Sequence, residues 1–270
     1  MFRLLGGTLL ALISFLPAWA GEPWTTRPLG LAGIGVALPS DPGSLVLNPA
    51  AIASAHTVQA CVSLNPGSFG MSELRSKAVV ALVPLTGASV GVGIRRFGFD
   101  LYNETSLIAG TAARVEESFD LGLSVELRNI SIHKYGSHIL PLVTIGMQCR
   151  ISEDIVVGGR IANIHGASLG QNGERLPRVV VIGLSYLPVP GFRASAEGEK
   201  DTRWPVNVKC GVELQIVSLL WLRAGIASDP SAWAVGGTLR SSLAEFSYGG
   251  SFHPVLGWTH SVELGFGVPE

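Results

Sequence analysis

Apolar and polar residues alternate strictly over several long stretches of the chain. From Asp120 to Arg128, Leu121, Leu123, Val125 and Leu127 share one phase, and Asp120, Gly122, Ser124, Glu126 and Arg128 share the other. Pro205–Ile216 and Ser261–Val268 repeat the pattern, with Val206, Val208, Cys210, Val212, Leu214 and Ile216 on one apolar phase and Val262, Leu264, Phe266 and Val268 on another. A period of two belongs to an extended strand whose faces meet different surroundings. A soluble sandwich would put Lys and Glu on its outer face. Here the polar phase holds glycine, serine and isolated charges, over roughly 9–12 residues, the length of a tilted membrane-crossing strand.

Carried along the whole chain, the pattern predicts fourteen strands, at about 57–64, 76–84, 88–97, 104–114, 119–130, 140–151, 154–163, 177–187, 190–198, 205–216, 220–227, 231–240, 243–252 and 258–268. An even number closes into a barrel with both ends on one side. The connections point the same way. Those after even strands are short, such as Leu85-Thr86-Gly87, Pro188-Val189 and Ser241-Ser242, whereas Asn65–Arg75, Ile164–Leu176 and Gly198–Trp204 follow odd strands and are long. The longest uncharged run, Ala78–Ile94, is cut by Pro84-Leu85-Thr86-Gly87, so it reads as two strands and not a spanning helix. The fold class expected is all-β, a transmembrane antiparallel barrel of about fourteen strands.

Composition narrows the function classes. The chain is 47% apolar and only 14% charged, with a net charge of −1, so it carries no basic field for nucleic acid. Its three cysteines, Cys61, Cys149 and Cys210, are widely spaced and lack a C-x-x-C, which argues against a disulfide framework and a zinc knuckle. Met1–Ala20 has Arg3, an apolar stretch from Leu4 to Leu16 and an Ala18-Trp19-Ala20 ending. It reads as a secretory signal peptide cleaved before Gly21. The expected organisation is a leader at 1–20, a distinct segment at 21–56 and a barrel at 57–270, placed in a bacterial outer membrane with lipid as its surroundings.

The register sends Arg95, Asp120, Glu126, Arg128, Arg150, Arg160, Lys209, Glu213, Arg223, Arg240, Glu245 and Glu263 inward, because a cation on the lipid face costs about 2–4 kcal/mol at mid-bilayer. Both signs occur in similar number, which favours mutual pairing that fills the lumen over a lining that guides a permeant. Cys149 and Cys210 fall on the lipid phase, where a thiol acts as a small hydrophobe. Cys61 falls on the other phase. Tyr102, Tyr186, Phe192, Trp204, Trp233, Phe246, Phe252 and Trp258 lie near strand ends, where an aromatic girdle would sit.

Arg27–Ser54 has a different texture, with close-approach glycines at Gly30, Gly33 and Gly35 and an Asn48-Pro49 that should cap and start a short helix through Ala53. It suits the lumen, as a plug. The order Gly30-Leu-Ala-Gly33, Asp41, Asn48-Pro49-Ala50 resembles the N-terminal hatch of FadL-type outer-membrane transporters. Leu222-Arg-Ala-Gly-Ile-Ala-Ser-Asp-Pro230, Ala234-Val-Gly-Gly-Thr-Leu239, Phe246-Ser-Tyr248 and Leu256-Gly-Trp-Thr-His-Ser261 are similar to the PorV/PorQ family within that superfamily. The chain is shorter than typical PorV proteins, its hatch reads Pro39-Ser-Asp-Pro42 in place of an acidic run, and it ends on Pro269-Glu270 after the aromatic Phe266.

The resemblance implies two jobs. One is passing a hydrophobic small molecule, with Gly30, Gly33, Asp41, Asn48 and Pro49 gating it. The other is holding a secretion-system protein at the outer membrane by the extracellular loops. A continuous apolar pocket would favour the first, and a lumen filled by paired charges with exposed apolar loop tips the second. No enzyme is expected: Ser124 and Ser185 lack the second glycine of a nucleophile elbow, Gly33-Ile-Gly35 opens no β-α-β unit, and His133, His138 and His165 lack further ligands. No cofactor is implied.

Overall fold

The computed structural model describes residues 23–169 and 174–267; the leader read at 1–20 and the Pro269-Glu270 overhang lie outside these. Fourteen antiparallel strands close into one barrel. They are β1 (Gln59–Asn65), β2 (Ser76–Leu85), β3 (Ala88–Gly98), β4 (Tyr102–Glu116), β5 (Phe119–Ile132), β6 (Gly136–Arg150), β7 (Ile155–Ala162), β8 (Val179–Val189), β9 (Phe192–Asp201), β10 (Val206–Val217), β11 (Leu220–Ser228), β12 (Ser231–Arg240), β13 (Ala244–His253) and β14 (Gly257–Phe266). Each strand pairs with its sequence neighbour, and β14 returns to β1 with Val62 opposite Leu264. Closure leaves no unpaired edge, which is what a sheet in lipid requires. All fourteen expected strands are present, with ends shifted by a few residues.

The turns after β2, β4, β8 and β10 hold two residues each. At the first, Gly87 takes φ +82, a conformation that suits glycine and lets Leu85 pair with Ala88. The longest connections, 66–75 and 163–178, lie at the opposite end; the first contains two short 3₁₀ turns and the second a two-residue ladder, Ser168–Leu169 with Glu174–Arg175. The loop expected from Gly198 is shorter, because β9 continues to Asp201.

Outward side chains form an apolar belt: on β5, Leu121, Leu123, Val125 and Leu127 are exposed, while Asp120, Ser124, Glu126 and Arg128 are buried in the lumen. No helix among the described residues is long and apolar enough to cross a membrane. The strands do so, and the protein is a β-barrel of the outer-membrane type. Tyr186, Phe192 and Phe246 lie toward the short turns, and Trp233, Phe252 and Trp258 cluster toward the loops, with Trp233 and Trp258 edge to face at 4.7 Å. Tyr102 departs from the expected girdle. It shares the inward phase of Ser106 and Ile108 and donates its hydroxyl to Glu104 (2.6 Å).

The apolar core lies inside the barrel. Trp24, Leu45, Val46 and Ile52 pack on Cys61, Ala78, Val80, Leu82, Ile108 and Ala112. Cys61 is therefore a core residue, which accounts for its inward phase. The same packing explains Ala78–Ile94: both faces of β2 meet apolar surroundings, so its alternation of polarity vanishes.

Val125→Arg, outward near the middle of β5, should lose about 2–4 kcal/mol of folding free energy, and Leu64→Arg, at the loop end of β1, about 0–1. Urea titration of refolding into phospholipid vesicles measures both.

Candidate functional site

Residues 23–56 enter the lumen with little regular structure: two four-residue helices, α1 (Thr26–Leu29) and α2 (Ser44–Leu47), and a 3₁₀ helix, Pro49–Ser54. So short a set of helices leaves most backbone N–H and C=O groups without internal partners, and buried groups need partners. The barrel wall provides them. Glu197 accepts from the N–H groups of Gly35 (2.7 Å) and Val36 (2.5 Å), and Glu263 accepts from Thr26 N–H (3.0 Å). Gln148 donates to the carbonyls of Val36 and Leu38, and Arg160 to that of Val46 (3.1 Å).

Room for this segment comes from glycine. Inward glycines stand opposite one another on neighbouring strands: Gly91 with Gly110, Gly122 with Gly146, Gly158 with Gly183, Gly211 with Gly225 and Gly236 with Gly249. Adding a Cβ would drive each pair into something specific. At Gly122 it would strike the Pro49–Ala50 backbone, at Gly158 the Val36 carbonyl, at Gly225 the Leu31 backbone and at Gly91 the Leu82 and Leu45 side chains. Successive pairs step around the wall, forming a belt in which the hatch is seated.

The residues expected to gate lie in this seat. A Cβ on Gly30 would be 3.1 Å from the Gly236 Cα, so the chain there lies directly on the wall. Gly33 has φ +87, which glycine adopts without strain. Asn48 caps the 3₁₀ helix by accepting from Ala50 N–H (3.1 Å), with Pro49 at its first position. Its amide also donates to the carbonyls of Val36 (2.6 Å) and Met147 (3.0 Å), tying two parts of the hatch to β6. Asp41 accepts from Ser44 N–H and pairs with Arg27 (2.8 Å).

Arg27 belongs to an ionic cluster centred on Glu213. Its guanidinium binds Glu213 through two hydrogen bonds (2.9 and 2.7 Å), and Glu213 also meets Arg193 (3.2 Å) and Arg223 (3.8 Å). Burial opposes the charge on Arg27, but Glu213 and Asp41 outweigh it and raise its pKa, so the guanidinium keeps its charge. Elsewhere in the lumen Lys209 pairs with Glu199 (2.8 Å), Arg128 with Glu126 (2.8 Å), Arg240 with Glu245 (3.1 Å), and Asp120 with Arg114 and Arg150. Arg95 lies over the Phe97 ring. Most of the inward charges therefore pair with one another, and several, among them Glu197 and Glu263, hold the hatch.

Sequence reading did not single out Arg27, Gln148, Glu197 or Glu199. Gln148 shares the phase of Arg150, and Glu197 faces Lys209 in register, so alternation carried both. Glu199 lay beyond the expected end of its strand. A cavity of about 20 Å³ beside Val46, Glu126 and Arg160 is large enough for one water. On the outer wall, an apolar groove of about 460 Å³ lies over Ile182, Leu184, Ala196, Gly198 and Val208, and reaches Gly183 and Glu197 on the inner side.

Many solved structures match the chain, several of them over nearly its whole length. Among them are a Pseudomonas aeruginosa FadL homologue (TM-score 0.68, 11% identity, 91% of this chain and 98% of that one), the CymD monoaromatic hydrocarbon channel (0.71, 11%, 94% and 100%), and the Ralstonia pickettii toluene transporter TbuX (0.66, 11%, 92% and 98%). The fold is FadL-like. No family model and no curated protein sequence matches the chain. The FadL-like barrel is thus recognised by its architecture, at an identity too low to carry residue roles across.

Gly122→Ala should push the 3₁₀ helix from its seat and destabilise the hatch by about 1–3 kcal/mol. Gly198→Ala, whose Cβ would meet nothing within 4 Å, should be neutral. Glu213→Ala strands Arg27, Arg193 and Arg223 and should cost about 3–5 kcal/mol. Protease cleavage within 23–56 of the folded barrel, accelerated in the first and third variants only, is the readout.

Proposed function

We propose that this FadL-like outer-membrane barrel passes a hydrophobic small molecule, with the segment at 21–56 as its gate. The observation that carries the reading is how the hatch is held: by side-chain hydrogen bonds, one ionic latch and a glycine seat, with an apolar face toward β1–β4. Such bonds can exchange. Loosening the Arg27–Glu213 contact would free the α1 side, and Gly30, Gly33, Asp41, Asn48 and Pro49 are the points about which the segment would move. A molecule passing between Leu45, Val46 or Ile52 and Val80, Leu82 or Ile108 would meet apolar surface on both sides. The outer groove at Gly183, where the wall thins to small residues beside Val36 of the hatch, gives a second apolar surface. The solved structures with this architecture include hydrocarbon channels and toluene transporters, not enzymes, and that agrees.

The accessory role implied by the PorV/PorQ resemblance would use the loop tips, where Tyr135 and Val255 are 80% and 85% exposed. A lumen filled by paired charges also suits that role. Passage is favoured because a plug seated by exchangeable bonds serves a gate, whereas an adaptor needs only a filled barrel.

Hydrophobic molecules cross phospholipid freely, so the test belongs in cells with a lipopolysaccharide-covered surface. Labelled toluene and a long-chain fatty acid are supplied to a strain lacking its own transporters. Expression of the chain should raise uptake of at least one of them, and Asn48→Ala, which removes the tie to β6, should change that rate at least twofold. Uptake equal to that of cells without the folded barrel would sink the proposal.

A further inference from the structure

Three exposed cations lie close together in sequence or register on the outside of the barrel, at the loop end of β2 and β3. Lys77 on β2 is directly opposite Arg96 on β3, and both are exposed. Arg75, two residues before Lys77 and therefore on the same outward phase, is also exposed, and its carbonyl accepts from Gly98 N–H (2.9 Å), extending the β2–β3 ladder. Among the described residues none of the three makes a side-chain hydrogen bond or ion pair. Like charges directly opposite on adjacent strands repel, and nothing in the wall offsets that repulsion. Lys200, outward on β9, instead donates to the Trp204 carbonyl (2.5 Å).

The position of the triad defines its surroundings. The next outward pair toward the middle of the wall is Val79 with Ile94, both about half exposed, so the cations sit on the boundary of the apolar belt. They lie at the loop end, away from the short turns and from the barrel's first and last residues, Gln59 and Phe266, which in this architecture is the outer leaflet. Long cationic side chains at such a boundary lay their stems on the apolar surface and raise their heads to the level of lipid headgroups. Two guanidinium forks and an ammonium on adjacent outward positions match a phosphate, which accepts bidentate hydrogen bonds from arginine.

We propose that Arg75, Lys77 and Arg96 form a binding site for the phosphate of an anionic outer-leaflet lipid. The site rests on the membrane-barrel architecture and not on passage of a hydrophobic molecule, so it stands or falls separately from that function. The phosphate would relieve the repulsion between Lys77 and Arg96 and fix one lipid against β1–β4, the sector whose inner side carries the apolar core.

Native mass spectrometry of the folded barrel in detergent tests it, with lipid A as the probe, a dephosphorylated form as one control and inorganic phosphate as competitor. The wild type should retain lipid A, and Arg75→Gln/Lys77→Gln/Arg96→Gln should reduce the bound fraction at least fivefold. Lys134→Gln, at the tip of the β5–β6 hairpin, should leave it unchanged, and the dephosphorylated form should not bind. If the triple variant fails to refold, as judged by heat-modifiable gel mobility, Arg96→Gln alone should give at least a twofold loss, largely recovered in Arg96→Lys. Equal retention by the refolded variants, equal binding of the dephosphorylated form, or displacement of lipid A by inorganic phosphate at equimolar concentration would each overturn the assignment.

Discussion

The constraint on which the structure turns is the backbone of the hatch. Fourteen strands enclose more space than inward side chains can fill, so a stretch of chain must occupy it. A stretch with so little helix brings unpaired N–H and C=O groups into a buried place, where each unmet group costs about 1–3 kcal/mol. Glu197, Glu263, Gln148 and Arg160 meet that need from the wall, and Asn48 meets it from within. Remove these partners and the filler would be expelled or the barrel would flood.

Two halves of the lumen solve the filling problem differently. Toward β1–β4 the contact is apolar, with Trp24, Leu45 and Ile52 against Val80, Leu82 and Ile108, and burial drives it. Toward β6–β14 charges, amides and bare glycine backbone predominate, beside a smaller apolar contact of Val36 and Ala37 with Ala162, Val179 and Val181. Buried charges gain little over an apolar filling of equal volume, because desolvation offsets most of their attraction. Each such contact demands a matching partner at a fixed distance, so it sets where the hatch sits.

The glycine belt joins these halves. Each pair removes two side chains at the level where the hatch passes, so the segment approaches the wall at backbone distance. That closeness lets Glu197 reach two successive N–H groups while Val36 packs on Gly183. A wider gap would need bridging water, and a larger residue would evict the hatch.

The fourteen strands were legible in the chain because lipid outside and a polar lumen inside impose a period of two, and short turns punctuate it. The inward phase of Glu126, Arg128, Arg160, Lys209 and Glu213 followed from the same rule, as did the Asn48-Pro49 helix start, since a cap is a local interaction. Where the rule lost its footing, the cause was the hatch. Its apolar side erased the alternation of β2 and sent Cys61 to a core; Tyr102 is a separate case, turned inward by its bond to Glu104 within β4. The partners could not be read from the chain. That Arg27 should meet Glu213, 186 residues away, or that paired glycines should form a seat, depends on which strands closure makes neighbours and on the level at which the hatch crosses them. Period is a property of each strand alone; juxtaposition is a property of the closed barrel, and only the tertiary structure decided it.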